Sequence, residues 1–156
     1  MVKIEVEGLI PIPRDRLWKV LARHLDDTAI GKIHPSILSQ LTIEREGTRS
    51  YQDLKLSEIT TVEREMRTAG RKWKCTWRMT VSPPEKYRFE VLASSGVLAP
   101  GSYISNTYYD SPQGTRIVTV GEMRPLGIPR FLQGWLVRRR LNRADSEDIE
   151  YLKNMS

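Results

Sequence analysis

Cysteine is almost absent from this chain of 156 residues. Cys75 stands alone, which excludes an intrachain disulfide and any zinc site built on cysteines. Histidine is nearly as scarce: His24 and His34 are the only two, so three histidines cannot be gathered around a metal. No run approaches the roughly 18 apolar residues that a membrane span requires. Lys3, Glu5 and Glu7 interrupt the beginning of the chain, where a signal peptide would need an apolar stretch. A Gly-x-Ser-x-Gly elbow, a glycine-rich phosphate loop and a cysteine–histidine pair close in sequence are all missing. So are internal repeats, low-complexity tracts and an interdomain linker. The expectation is a cytoplasmic protein with one domain over residues 1–156, holding no metal and no cofactor.

What is present describes an ordinary globular chain. A hydrophobic content of 39% against 28% charged residues suits a chain long enough to bury a real core. The net charge of +6 has two readings. It can draw nucleic acid, anionic lipid or an anionic ligand, or it can be a solvated basic surface. Lysine and arginine are scattered throughout, and only Arg138-Arg139-Arg140 with Arg143 forms a cluster. No nucleic-acid motif and no ladder of exposed aromatics accompanies it, so a nucleic-acid partner is not expected.

The period of the hydrophobic pattern organises the chain. Val2, Ile4 and Val6 alternate with Lys3, Glu5 and Glu7 as in a strand, and the period then turns helical, with Leu17, Trp18, Leu21 and Leu25 on one stripe. Pro13 suits the first turn of that helix, where its missing N–H has no intrahelical partner to lose. The stretch from Leu25 to His34 reads as a second short helix that Asp26 or Asp27 can cap and Pro35 ends. Strands follow over 37–46, 58–68, 71–82, 86–93, 102–110 and 115–124, with turns at Ala69-Gly70, Pro83-Pro84 and Ser111-Pro-Gln-Gly. A helix then opens at Pro129 and can run to about Asn154.

The cleanest strand is Arg71 to Ser82, with Trp73, Cys75, Trp77, Met79 and Val81 on one face and charged or hydroxyl residues on the other. A tight turn at Ala69-Gly70 sets Met66 opposite Trp73, Val62 opposite Trp77 and Glu65 opposite Lys74. Tyr87, Phe89 and Val91 continue the apolar face. Two features conflict with a dry core. Arg64 falls opposite Cys75 on the apolar side, which implies a register slip, a snorkelling arginine or a buried one with a partner. On the final helix, Phe131, Gly134, Val137, Leu141, Ile149 and Leu152 define a sheet-facing sector that also contains Arg138, Asp145 and Asp148. Either Arg138 and Asp145 bracket a polar cavity, or the middle of that helix is wet.

The order of strand, Ile10-Pro-Ile-Pro-Arg-Asp-Arg-Leu-Trp-Lys-Val-Leu, short second helix, His34-Pro35, six strands and long final helix resembles the SRPBCC superfamily. That group includes the START, Bet v 1-like and polyketide cyclase/dehydrase proteins. The resemblance spans the whole chain, and its most specific segment is Pro13 to Leu21, with Trp18 at a position usually aromatic in the family. It implies an α+β helix-grip fold: a seven-stranded antiparallel sheet, two short helices after the first strand, and a long C-terminal helix over an internal pocket. It also implies a hydrophobic ligand such as a lipid, a quinone or a polyketide, bound by a carrier or turned over by a cyclase or dehydratase. The shared property is a fold, so function rests on the pocket itself.

Trp73, Trp77, Met79, Phe89 and Phe131 are the expected pocket walls, with Arg138, Asp145 and a tyrosine, Tyr103 or Tyr109, to orient the ligand. Tyr108 shares their strand and takes the opposite face, so either face supplies a phenol. His34, before Pro35, reads as a surface or hinge residue, and His24 as a complement to the first helix dipole. The apolar loop from Ser94 to Ser102 covers an open end of the core or forms a lid through Val97 and Leu98. The expected partners are a hydrophobic small molecule and, transiently, an anionic membrane surface. No catalytic residue is assigned, and whether the chain turns over its ligand is left open.

Overall fold

The computed structural model describes residues 2–48, 57–68, 70–82 and 85–154. Alternation in the first residues builds β1 (Val2–Ile10), and Pro13 then starts α1 (Arg14–Arg23). Pro13 sits at the N-cap with φ −57°, and its carbonyl accepts from the Arg16 and Leu17 amides at 3.1 and 3.0 Å. The helical stripe places Leu17, Trp18 and Leu21 in the core; Trp18 is fully enclosed between Tyr87 and Tyr108.

The second helix is shorter than its pattern suggests. α2 covers Ile30–Ile33 alone, because Asp26 and Asp27 serve other ends. Asp26 folds a turn by accepting from the Thr28 amide at 2.9 Å. Asp27 accepts from the Thr42 amide, the Thr42 hydroxyl and Gln40 Nε2 at 2.8, 2.8 and 3.0 Å, tying the helix connection to β2 (Ile37–Thr48).

The remaining strands are β3 (Ser57–Thr68), β4 (Arg71–Ser82), β5 (Lys86–Ser94), β6 (Tyr103–Ser111) and β7 (Gly114–Met123). They form one antiparallel sheet in the order β1-β7-β6-β5-β4-β3-β2. The α1–α2 excursion carries the chain from one edge strand to the other. Two register shifts, between Ile37 and Ser39 and between Thr42 and Glu44, bend the β2 edge. Met66 faces Trp73, Val62 faces Trp77 and Glu65 faces Lys74, as the alternation requires. Of the expected turns, Ala69 and Pro83-Pro84 lie outside the described residues.

At Arg64 the structure decides between the readings. The register does not slip: Arg64 pairs with Cys75 and is buried on the apolar face, so the slip and the snorkelling arginine are both corrected. Its Nε donates to Gln40 Oε1 at 2.7 Å, and its guanidinium lies 5.5 Å from the Trp77 ring centroid. Among the described residues no carboxylate lies within ion-pair distance of it.

α3 (Arg130–Asn154) crosses the concave side of the sheet and packs on α1, α2 and β1. It buries Val137, Asp148 and Leu152. Phe131, expected to face the sheet, is instead 83% exposed: the first turn of α3 is tied through Gln133 to the Pro125 and Ile128 carbonyls of the preceding loop. No described helix is long and apolar enough to cross a membrane.

Candidate functional site

A cavity of about 460 Å³ lies between the concave face of the sheet and α3. α3 bridges the hollow of the sheet: Leu152 packs on Val20 and Ile33 beside α1 and α2, and Val137 packs on Ile4, Ile104 and Met123. Trp73, Trp77, Phe89, Ile104 and Met123 line it from the strands, and Leu136, Val137 and Leu141 from the helix. The 94–102 loop closes one side with Val97 and Leu98. It is held by backbone hydrogen bonds from the Ala99 amide to the Arg124 carbonyl at 2.9 Å and from the Leu126 amide to the Val97 carbonyl at 2.7 Å.

One end of the cavity is polar. His24, at the end of α1, and His34, just after α2, meet Asp148 of α3. His24 Nε2 lies 2.8 Å from Asp148 Oδ1, His34 Nε2 lies 3.1 Å from the same oxygen, and the two Nε2 atoms are 3.2 Å apart. His34 Nδ1 lies 3.3 Å from Glu147 Oε1. Burial alone would raise the Asp148 carboxyl, but the two imidazoles overcome it and hold the group at about 2. The histidines diverge. Burial lowers His24 despite Asp148, whereas at His34 the hydrogen bonds and charges of Asp148 and Glu147 outweigh burial and raise it.

Arg64 faces the same cavity, with burial lowering its pKa and the nearby Tyr87 and Cys75 opposing that shift. Tyr87 donates to Met79 Sδ at 3.1 Å. Burial pushes the Cys75 thiol up to about 11 and the Tyr108 phenol well above its ordinary range, so both stay protonated near neutrality.

The expected site residues divide into three groups. Trp73, Trp77 and Phe89 line the cavity together, and Arg138 and Asp145 border it from α3. Met79 is on the concave face but fully buried behind the lining, with its sulfur turned to Tyr87 and Arg64. Tyr103, Tyr109 and Phe131 do not line it. Tyr103 and Tyr109 stand on the other face of β6 beneath the guanidiniums of Arg88 and Arg116, at 4.8 and 4.4 Å, so Tyr108 is the concave phenol. His34 is no surface residue: it is 8% exposed. The histidine pair and Arg64 were missed as site residues. The signals available were the only two histidines, ten residues apart in one helix pair, and an acid at 148 in the sheet-facing sector.

Arg138 and Asp145 form no ion pair with each other among the described residues. Asp145 is exposed at the cavity border, although the surrounding protein withdraws part of its solvation. Burial, with the charge of Asp148 added, raises its carboxyl to about 6. A folded value above the unfolded one opposes folding at any pH where the unfolded carboxyl is ionised. Asp145→Asn should therefore stabilise the protein above pH 7, by about 1 kcal/mol once solvent screening is allowed for. The gain should vanish near pH 4. Urea denaturation at the two pH values checks this, and a destabilised variant at pH 7.5 would show that a partner favours the ionised carboxylate.

The comparisons agree with this geometry. Residues 1–154 match the family described as polyketide cyclase / dehydrase and lipid transport, and the chain belongs to that family. The crystal structure of Ara h 8.0201 shares 15% identity at a TM-score of 0.73, covering 98% of each chain. A START superfamily protein from Mycobacterium smegmatis shares 9% identity at a TM-score of 0.71, covering 99% of each. The ZhuI aromatase/cyclase from Streptomyces sp. R1128 shares 15% at a TM-score of 0.60, covering 97% of this chain and 90% of that one. These likenesses establish the helix-grip fold. No curated protein matches the chain.

Proposed function

We propose that this protein is a carrier for a hydrophobic small molecule with an apolar body and one oxygen-bearing head. The observation that carries the reading is the cavity itself: about 460 Å³, walled on the sheet side by Trp73, Trp77, Phe89, Ile104 and Met123, with His24, His34, Asp148 and Arg64 gathered in its polar part. Arg64 supplies the preference for an oxygen acceptor, anionic or carbonyl, since a buried guanidinium without a carboxylate partner gains from one. Tyr108 and Trp77 flank the body of such a ligand.

The outer surface near the cavity suits exchange with an anionic membrane. Phe131 and Trp135 are 83% and 57% exposed at the start of α3. Arg130 precedes them, and Arg138, Arg139, Arg140 and Arg143 follow on the same helix before its first acid, Asp145. Aromatic rings favour the membrane interface, and each arginine near an anionic leaflet adds about 1 kcal/mol.

The test is uptake of a polycyclic probe, anilinonaphthalene sulfonate, followed by energy transfer from tryptophan. Saturable one-site uptake is expected, weakened about tenfold by Val97→Ser/Leu98→Ser with the melting temperature retained, as befits two lost apolar contacts. Transfer of a pyrene-labelled fatty acid should be faster from phosphatidylglycerol than from phosphatidylcholine vesicles, and slowed by Phe131→Ala/Trp135→Ala. No saturable uptake, together with a bare chain in native mass spectrometry, would sink the carrier reading. Equal transfer from both vesicles would remove the membrane from it.

A second reading is a cyclase or dehydratase acting on a polyketide-like ligand in the same cavity. The buried histidine pair favours it, because a lowered His24 and a raised His34 offer a base and an acid side by side. Turnover that is lost in His34→Gln while probe binding persists would choose the enzyme.

A further inference from the structure

We propose that His24, His34 and Asp148 form a binding site for a divalent transition metal of the two-histidine, one-carboxylate type, opening on the polar end of the cavity. Hydrogen counting is the first argument. Nε2 of His24, Nε2 of His34 and Oδ1 of Asp148 form a triangle with sides 2.8, 3.1 and 3.2 Å. An ionised carboxylate only accepts, so each contact with Asp148 requires a proton on an imidazole nitrogen. If both Nε2 atoms carry one, two N–H groups crowd each other across the third side. If one does, a bare nitrogen faces a bare oxygen. Protons satisfy at most two of the three contacts at once, whereas one cation satisfies all three lone pairs.

Distance is the second argument. Six-coordination at about 2.1 Å places adjacent ligand atoms about 3.0 Å apart, and tetrahedral coordination places them about 3.4 Å apart. The triangle matches one face of an octahedron, the arrangement that leaves positions free for water or a ligand head. The third argument is the shell behind it. A metal on His34 Nε2 leaves the proton on Nδ1, and that nitrogen lies against Glu147 Oε1, the carboxylate–histidine arrangement that orients metal-binding imidazoles. The two carboxylates of Asp148 and Glu147 balance a divalent charge. Arg64 opposes the cation from the sheet side and Asp145 offsets it from the helix side.

The inference stands apart from the carrier reading, since metal uptake needs no hydrophobic ligand. It competes with the acid–base reading, because a metal occupies the nitrogen lone pairs that a proton relay needs. Co²⁺ is the probe, added to full-length protein cleared of metal by chelation and desalting. One equivalent should bind, giving visible absorption bands that one equivalent of Zn²⁺ abolishes. His24→Gln and His34→Gln should each weaken binding ~100-fold or more, and Glu147→Gln about tenfold. Cys75→Ser should leave it unchanged. If a glutamine variant does not fold, the ring-proton NMR signals of the wild type decide. The two histidines are the only ones in the chain, and stoichiometric Co²⁺ should shift or broaden both. Absence of stoichiometric uptake at millimolar Co²⁺ would overturn the proposal. So would uptake that survives the double glutamine variant, or ring signals that Co²⁺ leaves unmoved.

Discussion

Alanine in place of Asp148 should lower stability by about 3–5 kcal/mol near pH 5.5, the range for removing one partner of a buried charged pair. Asp148 is 8% exposed, and its Oδ1 contacts both imidazoles. Without it, His24 and His34 face each other with Glu147 as the remaining carboxylate in contact. The pH dependence follows from the directions of the shifts. The Asp148 carboxyl is depressed to about 2, so its contribution is complete above the unfolded value near 4 and is lost as pH falls toward 2. His34 is raised, so its contribution is complete below about 6.5 and is lost as pH rises through its folded value. His24 is lowered by burial and works against folding as pH falls, more so once Asp148 is gone. The difference between wild type and variant should therefore be widest between about pH 4 and 6.5. Urea denaturation in excess chelator across pH 4–8 measures it free of metal. A uniform difference under about 1 kcal/mol would mean that the cluster contributes nothing to stability.

The same cluster marks where sequence reading ended. Strand pattern is a local property, so the alternation of Trp73, Cys75, Trp77, Met79 and Val81 was enough to set both the buried face and its pairing with Val62 and Met66. Arg64 followed from that register, yet its burial did not. A lone cation on an apolar face becomes acceptable through partners on other strands, Trp77 and Met79 of β4 and Gln40 of β2, and Gln40 itself bonds Asp27 and the His24 carbonyl. His24 and Asp148 are 124 positions apart, and nothing in either segment names the other.

The tyrosines of β6 show a different limit. Alternation separates Tyr108 from Tyr103 and Tyr109, but which face is concave depends on how the whole sheet curls. On α3, the helical wheel placed Val137 and Leu152 inward with Asp148 among them. A wheel has no axial coordinate, however. It could not show that Phe131 faces solvent while Leu136, outside the expected sector, reaches the cavity.

Trp77→Ala is the other change with a large expected effect, and it tests the cavity wall itself. The indole is 5% exposed, packs on Phe89 with centroids 5.2 Å apart, lies under Arg64, and donates from Nε1 to Cys75 Sγ. Truncating a buried aromatic costs about 3–5 kcal/mol. Trp77 borders open space on one side, so about 3 kcal/mol is expected here. The lost volume joins the cavity, and Arg64 loses the ring that covers it. Trp77→Phe keeps most of the wall and should cost about half as much. Bulky polycyclic probes should then bind the alanine variant better than the wild type, and small ones worse, because contact area is lost only where a ligand fails to refill the gap. If stability falls by less than 1 kcal/mol and the order of probe affinities is unchanged, the ligand lies elsewhere and the Trp77 wall is core packing alone.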